Sequence, residues 1–534
     1  AKLFGTPGEF NSPRYLAAQG IYLTAFLTAA EELAIMANHP SRQTALFEDW
    51  RLTIADRITA VVPKRAAGPT QSLLVGMRGG LSDSDRELLA RGGVSHLFAI
   101  SGLHFGLLAM LLYLISSWIY TRNERLILLC PPQRILPLLL IFPLACYLLL
   151  TGNAWATRRA FLMATLAALT FCSGRRTTPL TLLASVAFGL LLTNPLALFQ
   201  PGFQLSFAAL AGIIIWLPRW HRQIVGLPRL VRWPLTILLT TTAATMATAP
   251  ITLWSFHQFA PAGLLTNLIA IPLIAWGAVP LGLLAIASMP FSGAIADGCL
   301  QLSGVLIQNA LNCVEAITRW PGLGAIQVHF SLSKQLCLVG VICCLLPLNY
   351  SRRKWLGRAA VMLIFIGASW LLQPQQDELK ITAISVGQGD AILVSLPGNK
   401  HFLVDGGGFP NSSKDSGRDL VAPLLGRLGV SHIEGVILTH NHPDHSDGLA
   451  YILRNFPCEN FWTGSTPEHL PDKLKQVLAQ RGISAQQLAP GWTRVTQENE
   501  ANVSLYTPSQ EDQDLNERSV AIFISDGEEG AMLN

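Results

Sequence analysis

Apolar residues run in long blocks through the middle of this chain and alternate with polar ones near its two ends. The blocks fall near 97–120, 135–151, 157–173, 180–197, 203–218, 234–255, 262–289, 296–318, 334–349 and 356–372. About 20 apolar residues in a helix cross the ~30 Å hydrocarbon of a bilayer. The pattern therefore predicts about ten membrane spans, with re-entrant pieces where a block is short. After Pro374 the period becomes that of strands: Ile381–Val394, Phe402–Gly407 and Gly435–Thr439 are β-type runs punctuated by glycine turns. Near the start, Ile21–Leu27 reads as a strand and Ser41–Ile58 as a polar helix. Gly79–Asp85 supplies an N-cap cluster for a helix leading to the first span.

Three regions follow: a small soluble domain over 1–70, a membrane domain over 71–373 and a second soluble domain over 374–534. The fold class is a polytopic α-helical membrane protein with soluble parts at both ends. Composition agrees, since half of the 534 residues are hydrophobic and 13% are charged, where soluble domains carry about 25%. A wholly soluble protein is excluded. Eight of the nine cysteines, all but Cys458, lie in or beside apolar segments without paired spacing and read as small core residues. The chain opens on Ala1 without a Met or signal-like segment and stops at Asn534 inside a strand-rich region, so a fragment lacking both natural ends is expected.

The net charge of +5 is best read through its distribution. With an even number of spans, one side collects Arg122, Arg125, Arg134, Arg175, Arg176, Arg219, Arg222, Arg229, Arg232, Arg352, Arg353, Lys354 and Arg358. Few basic residues lie in the opposite loops, so the positive-inside rule puts the Arg-rich side in the cytoplasm and both soluble regions outside. Polar groups inside hydrocarbon are costly and usually face a cavity or a partner helix. Ser101, His104, Arg159, Gln204, Ser206 and Asn267 are such groups. Spread over several spans, they suggest a hydrophilic path, although a satisfied packing seam is the competing reading for Ser101 and His104. Such a path suits a polyanion, which needs donors without a dense positive trap, and suits a small solute equally.

The third β-type run ends in His440-Asn441-His442-Pro443-Asp444-His445. Two imidazoles at i and i+2 on a loop leaving a strand can close on one metal ion, with Asp444 and His445 directed to a second. Two divalent ions, zinc or manganese, would make hydroxide available near neutral pH for attack on phosphorus or carbonyl carbon. Asp444 and His442 are the candidate catalytic groups; Asp444 alternatively orients or deprotonates the water. The competing reading is four surface residues clustered by chance. His401, His432 and His469 lack this spacing and read as ordinary exposed histidines.

The motif resembles the HxHxDH signature of the metallo-β-lactamase fold, an αββα sandwich. Asp405, before a double glycine, matches that fold's first acidic position, which holds a metal ligand from behind. The DNA-uptake branch of the fold carries a further Gly-Asp and a His-His-Gly-Ser segment, and this chain stops short of both. Ser446-Asp447-Gly448 departs from the usual hydrophobic residue and two glycines, which puts the local loop geometry in question.

Taken together, the residues resemble the ComEC-type competence family. Pro7–Phe10 and Tyr15–Ile21 look like the tail of its OB-like domain. His96–His104, Arg159, Met163, Asn194-Pro195 and Gly202–Phe207 look like its membrane domain, and Val386–Ala391 with Asn516–Val520 look like its hydrolase-like part. The resemblance implies passage of single-stranded DNA across the bacterial inner membrane in natural transformation, with the metal domain degrading or handling the other strand. It also implies a surface or periplasmic DNA receptor and a cytoplasmic motor as partners. A membrane-tethered metallohydrolase for another anionic substrate, and a DNA-handling protein without enzymatic activity, are the alternatives.

Overall fold

A computed structural model describes residues 12–18, 42–98, 100, 102–129, 131–152, 155–173, 177–328, 332–344, 357–358, 360–365, 367, 378–387, 389–409, 415–498, 501–508, 519–526 and 529–533. Its first part is built of helices: α1 (Ser12–Ala18), α2 (Arg42–Val61), α3 (Lys64–Leu74), α4 (Asp83–Arg91), α5 (Gly102–Tyr120), α6 (Glu124–Leu129), α7 (Pro132–Leu139) and α8 (Ile141–Leu150). There follow α9 (Trp155–Cys172), α10 (Pro179–Thr193), α11 (Pro201–Ile224), α12 (Arg229–Phe256), α13 (Gly263–Ala270), α14 (Val279–Ser288), α15 (Gly293–Thr318) and α16 (Leu332–Cys344). A two-residue ladder, β1 (Gln258–Phe259) with β2 (Ile326–Gln327), ties the end of α12 to the segment after α15.

Local chemistry starts and stops these helices. Ser82 caps α4 by accepting from the Asp85 amide at 3.1 Å, as the N-cap cluster implied. Thr178 caps α10 ahead of Pro179, and Pro201 opens α11 where its missing N–H costs nothing. The apolar block 135–151 is divided at Leu140, because Pro143 has no N–H to donate to the preceding turn. Between α13 and α14 the chain passes through a π-helical stretch, Ile271–Ala278, beginning beside Pro272, and the Ser303 hydroxyl donates to the Ala278 carbonyl at 2.9 Å. In α12 the hydroxyls of Thr236, Thr240, Thr242, Thr248 and Thr252 each donate to the carbonyl four residues back, so a Thr-rich helix satisfies itself in an apolar setting.

Among the described residues, three helical stretches are long and apolar enough to cross a membrane: α11, α12 and the run Gly263–Ser288. The apolar helices at His104–Tyr120, Ile135–Leu150, Pro179–Thr193 and Lys334–Cys344 are shorter. Gly212 seats α11 against α12, since a Cβ there would lie 2.6 Å from the Ala243 carbonyl oxygen. The described residues before Leu74 are helical and include no strand, so the OB-like β domain is not seen among them. The run Ile21–Leu27 lies outside the described residues. Helix α2 shares one core with the membrane part, Ile54 and Ile58 packing in the group that holds Leu73, Ile274, Leu300 and Ile307. Ion pairs Arg57–Asp297 (2.7 Å) and Arg65–Glu315 (2.8 Å) fasten α2 and α3 to α15. The cysteines are a correction: of the eight read as core residues, the seven described are half-buried or exposed, so they sit around the core rather than within it, and Cys130 lies outside the described residues.

The last part is an α/β layer structure. Strands β3 (Lys380–Ala383), β4 (Ile392–Leu396), β5 (Lys400–Val404), β6 (Ile433–Leu438), β7 (Cys458–Thr463) and β8 (Ala485–Gln487) form one mixed sheet in that order. Its β3–β4–β5 pairs are antiparallel and its β5–β6–β7–β8 pairs parallel. A second, antiparallel sheet runs β12 (Glu529–Leu533), β11 (Ala521–Asp526), β10 (Ala501–Thr507), β9 (Gly491–Glu498). The period of two decides which side chain goes where. Leu393, Leu403, Val436 and Leu438 face helices Ala422–Leu428, Leu449–Asn455 and Asp472–Arg481, while Val394, Phe402, Val404 and Ile437 face the second sheet. Three of the four layers of an αββα sandwich are thus present; the second helical layer is not among the described residues. The α/β part meets the helical part where the Arg427 guanidinium lies 4.7 Å from the ring centre of Trp254, near the end of α12.

Candidate metal centre

Parallel neighbours β5 and β6 end side by side, with Val404 registered on Ile437. That register delivers Asp405 and the loop Thr439–His445 to one edge of the sheet, the usual place for ligands in such sheets. Asp405 has φ +55 and is 1% exposed, so its carboxylate turns inward under the loop. The Gly406 amide donates to the His445 carbonyl at 2.8 Å and the Gly448 amide to the Gly407 carbonyl at 3.0 Å, closing the loop over the double glycine. Two approaches leave no room for a side chain: a Cβ at Gly389 would lie 1.9 Å from the Asp444 carbonyl oxygen, and one at Gly408 1.9 Å from that of Pro443. The departure at Ser446 is accommodated, its buried hydroxyl donating to the His442 carbonyl at 2.9 Å.

A proton inventory sets both imidazoles. Asp405 accepts from the Thr439 amide (2.8 Å), from the Thr439 hydroxyl (2.6 Å) and from His445 Nδ1 (2.8 Å). The single Thr439 proton is spent on Asp405, so toward His440 Nδ1, at 3.1 Å, this hydroxyl accepts. Nδ1 therefore carries hydrogen in both His440 and His445, and both Nε2 atoms keep a free lone pair. One buried carboxylate thus assigns two tautomers, one directly and one through Thr439. The Ser519 hydroxyl lies 3.2 Å from the same His440 Nδ1, and the Val520 amide donates to the Thr439 carbonyl at 3.1 Å.

The donor groups gather there. Ring centres of His440 and His445 are 4.1 Å apart, those of His440 and His442 4.8 Å, and His445 Nε2 lies 4.0 Å from Asp444 Oδ2. Burial, with His445 and His442 adding to it, pushes His440 down to about 4, so it is neutral at physiological pH. Burial also pulls on His445, but the hydrogen bond and charge of Asp405, with Asp444 and Asp390 behind it, prevail and raise it. Four nitrogen and oxygen donors of this kind, two with assigned free lone pairs, fit a divalent ion. Among the described residues, the trio whose donor atoms all lie within 4.8 Å of one another is elsewhere, His432, Glu434 and Glu459 at the opposite end of β6.

Sequence reasoning placed Asp405, His440, His442, Asp444 and His445, and the fold brings them together. Thr439 and Ser519 were missed as parts of the site, although the Asn516–Val520 motif flagged the neighbourhood of Ser519; Asn516–Arg518 lie outside the described residues. His401 is corrected: it is buried and its Nδ1 meets the Ser395 hydroxyl at 2.9 Å, because position 401 of β5 points inward. His432 is half-exposed and pairs with Glu459 at 3.2 Å, and His469 is exposed, its carbonyl accepting from the Asn441 side chain.

The described path candidates lie on four helices. His104 in α5, Arg159 in α9 and Asn267 in α13 are buried, while Gln204 and Ser206 in α11 are half-buried. Gln204 is engaged locally, its amide donating to the Leu198 carbonyl at 2.8 Å. Ser101 lies outside the described residues.

Two family models match the chain: "Competence protein" over residues 73–354 and "Metallo-beta-lactamase superfamily" over residues 384–517. ComE operon protein 3 of Bacillus subtilis is 26% identical over 522 residues, covering 91% of this chain and 62% of the relative. Uncharacterized protein YcaI of Escherichia coli is 27% identical, covering 84% of this chain and 57% of its own length. Competence protein ComA of Neisseria gonorrhoeae is 27% identical, covering 70% of this chain and 50% of its own length. The chain spans between half and about six tenths of these curated relatives.

Proposed function

The chain belongs to the competence protein family, and from that membership we propose that it serves DNA uptake at the bacterial inner membrane, passing one strand through its helical part while its metal domain cleaves phosphodiester bonds. The observation that carries the chemical half is the pair of histidines whose Nε2 lone pairs are freed by one buried carboxylate. Divalent ions bound there supply Lewis acidity toward a phosphate and make hydroxide available near neutral pH. His440, His442, Asp444 and His445 would hold them, and their spacing along the loop, His440 with His442 for one ion and Asp444 with His445 for a second, supports two ions. Asp444, half-buried on the rim of the loop, is placed to accept a proton from the attacking water or to hold an ion.

Sidedness is supported without counting spans. Helix α12 starts at Arg229, in the Arg-rich loop, and its 28 residues rise about 42 Å, enough for a bilayer. Arg427 of the metal domain meets Trp254 at the other end. The positive-inside rule puts Arg229 and Arg232 in the cytoplasm, so the metal domain lies outside.

The test is replacement of His440 and His442 together by Ala in a transformable cell. Loss of strand cleavage with retained entry of single-stranded DNA is expected. Cleavage at the wild-type rate would remove the metal loop from the reaction, and labelling of residues after Pro374 from the cytosol would overturn the orientation.

A further inference from the structure

Arg159 is 8% exposed, and its Nε has no hydrogen-bond partner; among the described residues no carboxylate pairs with it. It lies one turn before Met163, which packs with Leu166 against Val186, Leu190, Ala197 and Phe203, so the face of α9 that carries Arg159 looks toward α10 and α11. The guanidinium is aimed at the first turn of α11: a Cβ on Gly202 would lie 3.8 Å from Arg159 Nη1. Gly202 itself is exposed, which leaves this spot open on one side. Gln200, the residue before Pro201, is 7% exposed and makes no side-chain cap, and its Nε2 donor is also without a partner.

A buried guanidinium without a counter-charge is costly, and so is a buried amide donor without an acceptor. Both lie at the start of a 24-residue helix, where Pro201 has no N–H and the Phe203 and Gln204 amides already donate to the Gln200 carbonyl at 3.0 and 3.1 Å, and where the helix dipole favours negative charge. The unmatched groups at this place, Arg159 Nε and Gln200 Nε2, are both donors, and one belongs to a cation. What is missing is an anion with several acceptor oxygens, and a phosphodiester supplies one charge and two free oxygens.

We propose that the N-terminal end of α11, with Arg159 and Gln200, binds a backbone phosphodiester of the DNA strand as it enters the helical part. The inference rests on the DNA-uptake reading above. α11 ends in the Arg-rich loop 219–232, so its first turn lies on the opposite side, as does the Arg427–Trp254 contact with the metal domain. A single charge-assisted contact holds one phosphate at a time, which permits release and forward movement.

The experiment uses the full chain in dodecyl maltoside, with EDTA to suppress cleavage, and a fluorescein-labelled 20-nucleotide thymidylate as probe. Its Kd is measured across 50–300 mM KCl. Arg159→Gln is expected to weaken binding about tenfold and to lower the slope of log K against log salt by about 0.7, the contribution of one neutralised phosphate on a single strand. Gln200→Ala is expected to weaken binding while leaving that slope unchanged. Arg159→Lys keeps the charge and is expected to show the wild-type slope with weaker affinity. If Arg159→Gln does not fold, the lysine variant decides, and wild-type affinity in it overturns the proposal. An unchanged Kd and slope in Arg159→Gln overturns it as well. Loss of phosphatidylglycerol binding in Arg159→Gln with DNA binding unaltered makes the site a lipid headgroup site and also overturns it. Failure of the wild-type chain to bind the probe at all sinks the uptake reading instead.

Discussion

Replacing Asp405 with Asn removes one charge and keeps nearly everything else. The side chain stays the same size, and Asn tolerates the left-handed backbone that φ +55 demands, so no new backbone strain enters. One oxygen still accepts from the Thr439 amide. The other becomes an NH2 group facing two donors, the Thr439 hydroxyl and His445 Nδ1–H, formerly at 2.6 and 2.8 Å. Hydrogen bonds to a charged partner contribute about 1.5–3 kcal/mol each, so losing these two costs roughly 3 kcal/mol after local rearrangement. A domain stable by about 5–15 kcal/mol remains folded. The larger consequence is for the ligands: His445 is no longer held with its proton on Nδ1, and the Thr439 hydroxyl is released from the duty that made it accept from His440. Loss of such support weakens metal binding about 10–100-fold, which corresponds to about 1.4–2.7 kcal/mol. Zinc competition against a chromophoric chelator measures the affinity, and urea denaturation in detergent measures stability. Asp405→Ala is expected to lose about 1 kcal/mol more, because Ala does not tolerate this backbone. Equal zinc affinity in wild type and Asp405→Asn would show that the carboxylate does not govern the histidines.

Gly389→Ala places a methyl group 1.9 Å from the Asp444 carbonyl oxygen at φ +73, so the metal loop must move and the domain is expected to lose more than about 3 kcal/mol; melting unchanged within a degree refutes the close approach. Burial, then His432, lowers His401, so the unfolded chain binds its proton first: the domain is fully stable above about pH 6.5 and loses stability as pH falls below it. His401→Gln is expected to flatten that loss as pH falls below about 6.5, read by urea denaturation at a series of pH values, and an undiminished slope refutes it. The cation–π contact of Arg427 with Trp254 is expected to contribute about 0.5–1 kcal/mol in a double-mutant cycle on domain docking, and Cys residues at the two positions should be joined by a short bis-maleimide; absence of the cross-link refutes the contact.

By itself the sequence determined what depends on neighbours along the chain. Apolar blocks announced the helices because burial in lipid needs unbroken runs, and a two-residue period announced the strands whose alternate residues face helices or sheet. The His440–His445 loop was legible because its donors lie within six positions of one another, and Asp405 because a strand followed by glycines is itself a local signal. Tertiary structure decided what depends on partners far apart. Ser519 reaches His440 across 79 positions and Thr439 reaches Asp405 across 34, distances over which no local periodicity carries information. The same holds for Arg57 on Asp297, 240 residues away, which joins an early helix to the membrane body, and for Arg427 on Trp254. Polarity marked His104, Arg159 and Gln204 alike, yet Gln204 satisfies the Leu198 carbonyl beside it while Arg159 keeps an unmatched donor, because satisfaction is settled by packing and not by residue type.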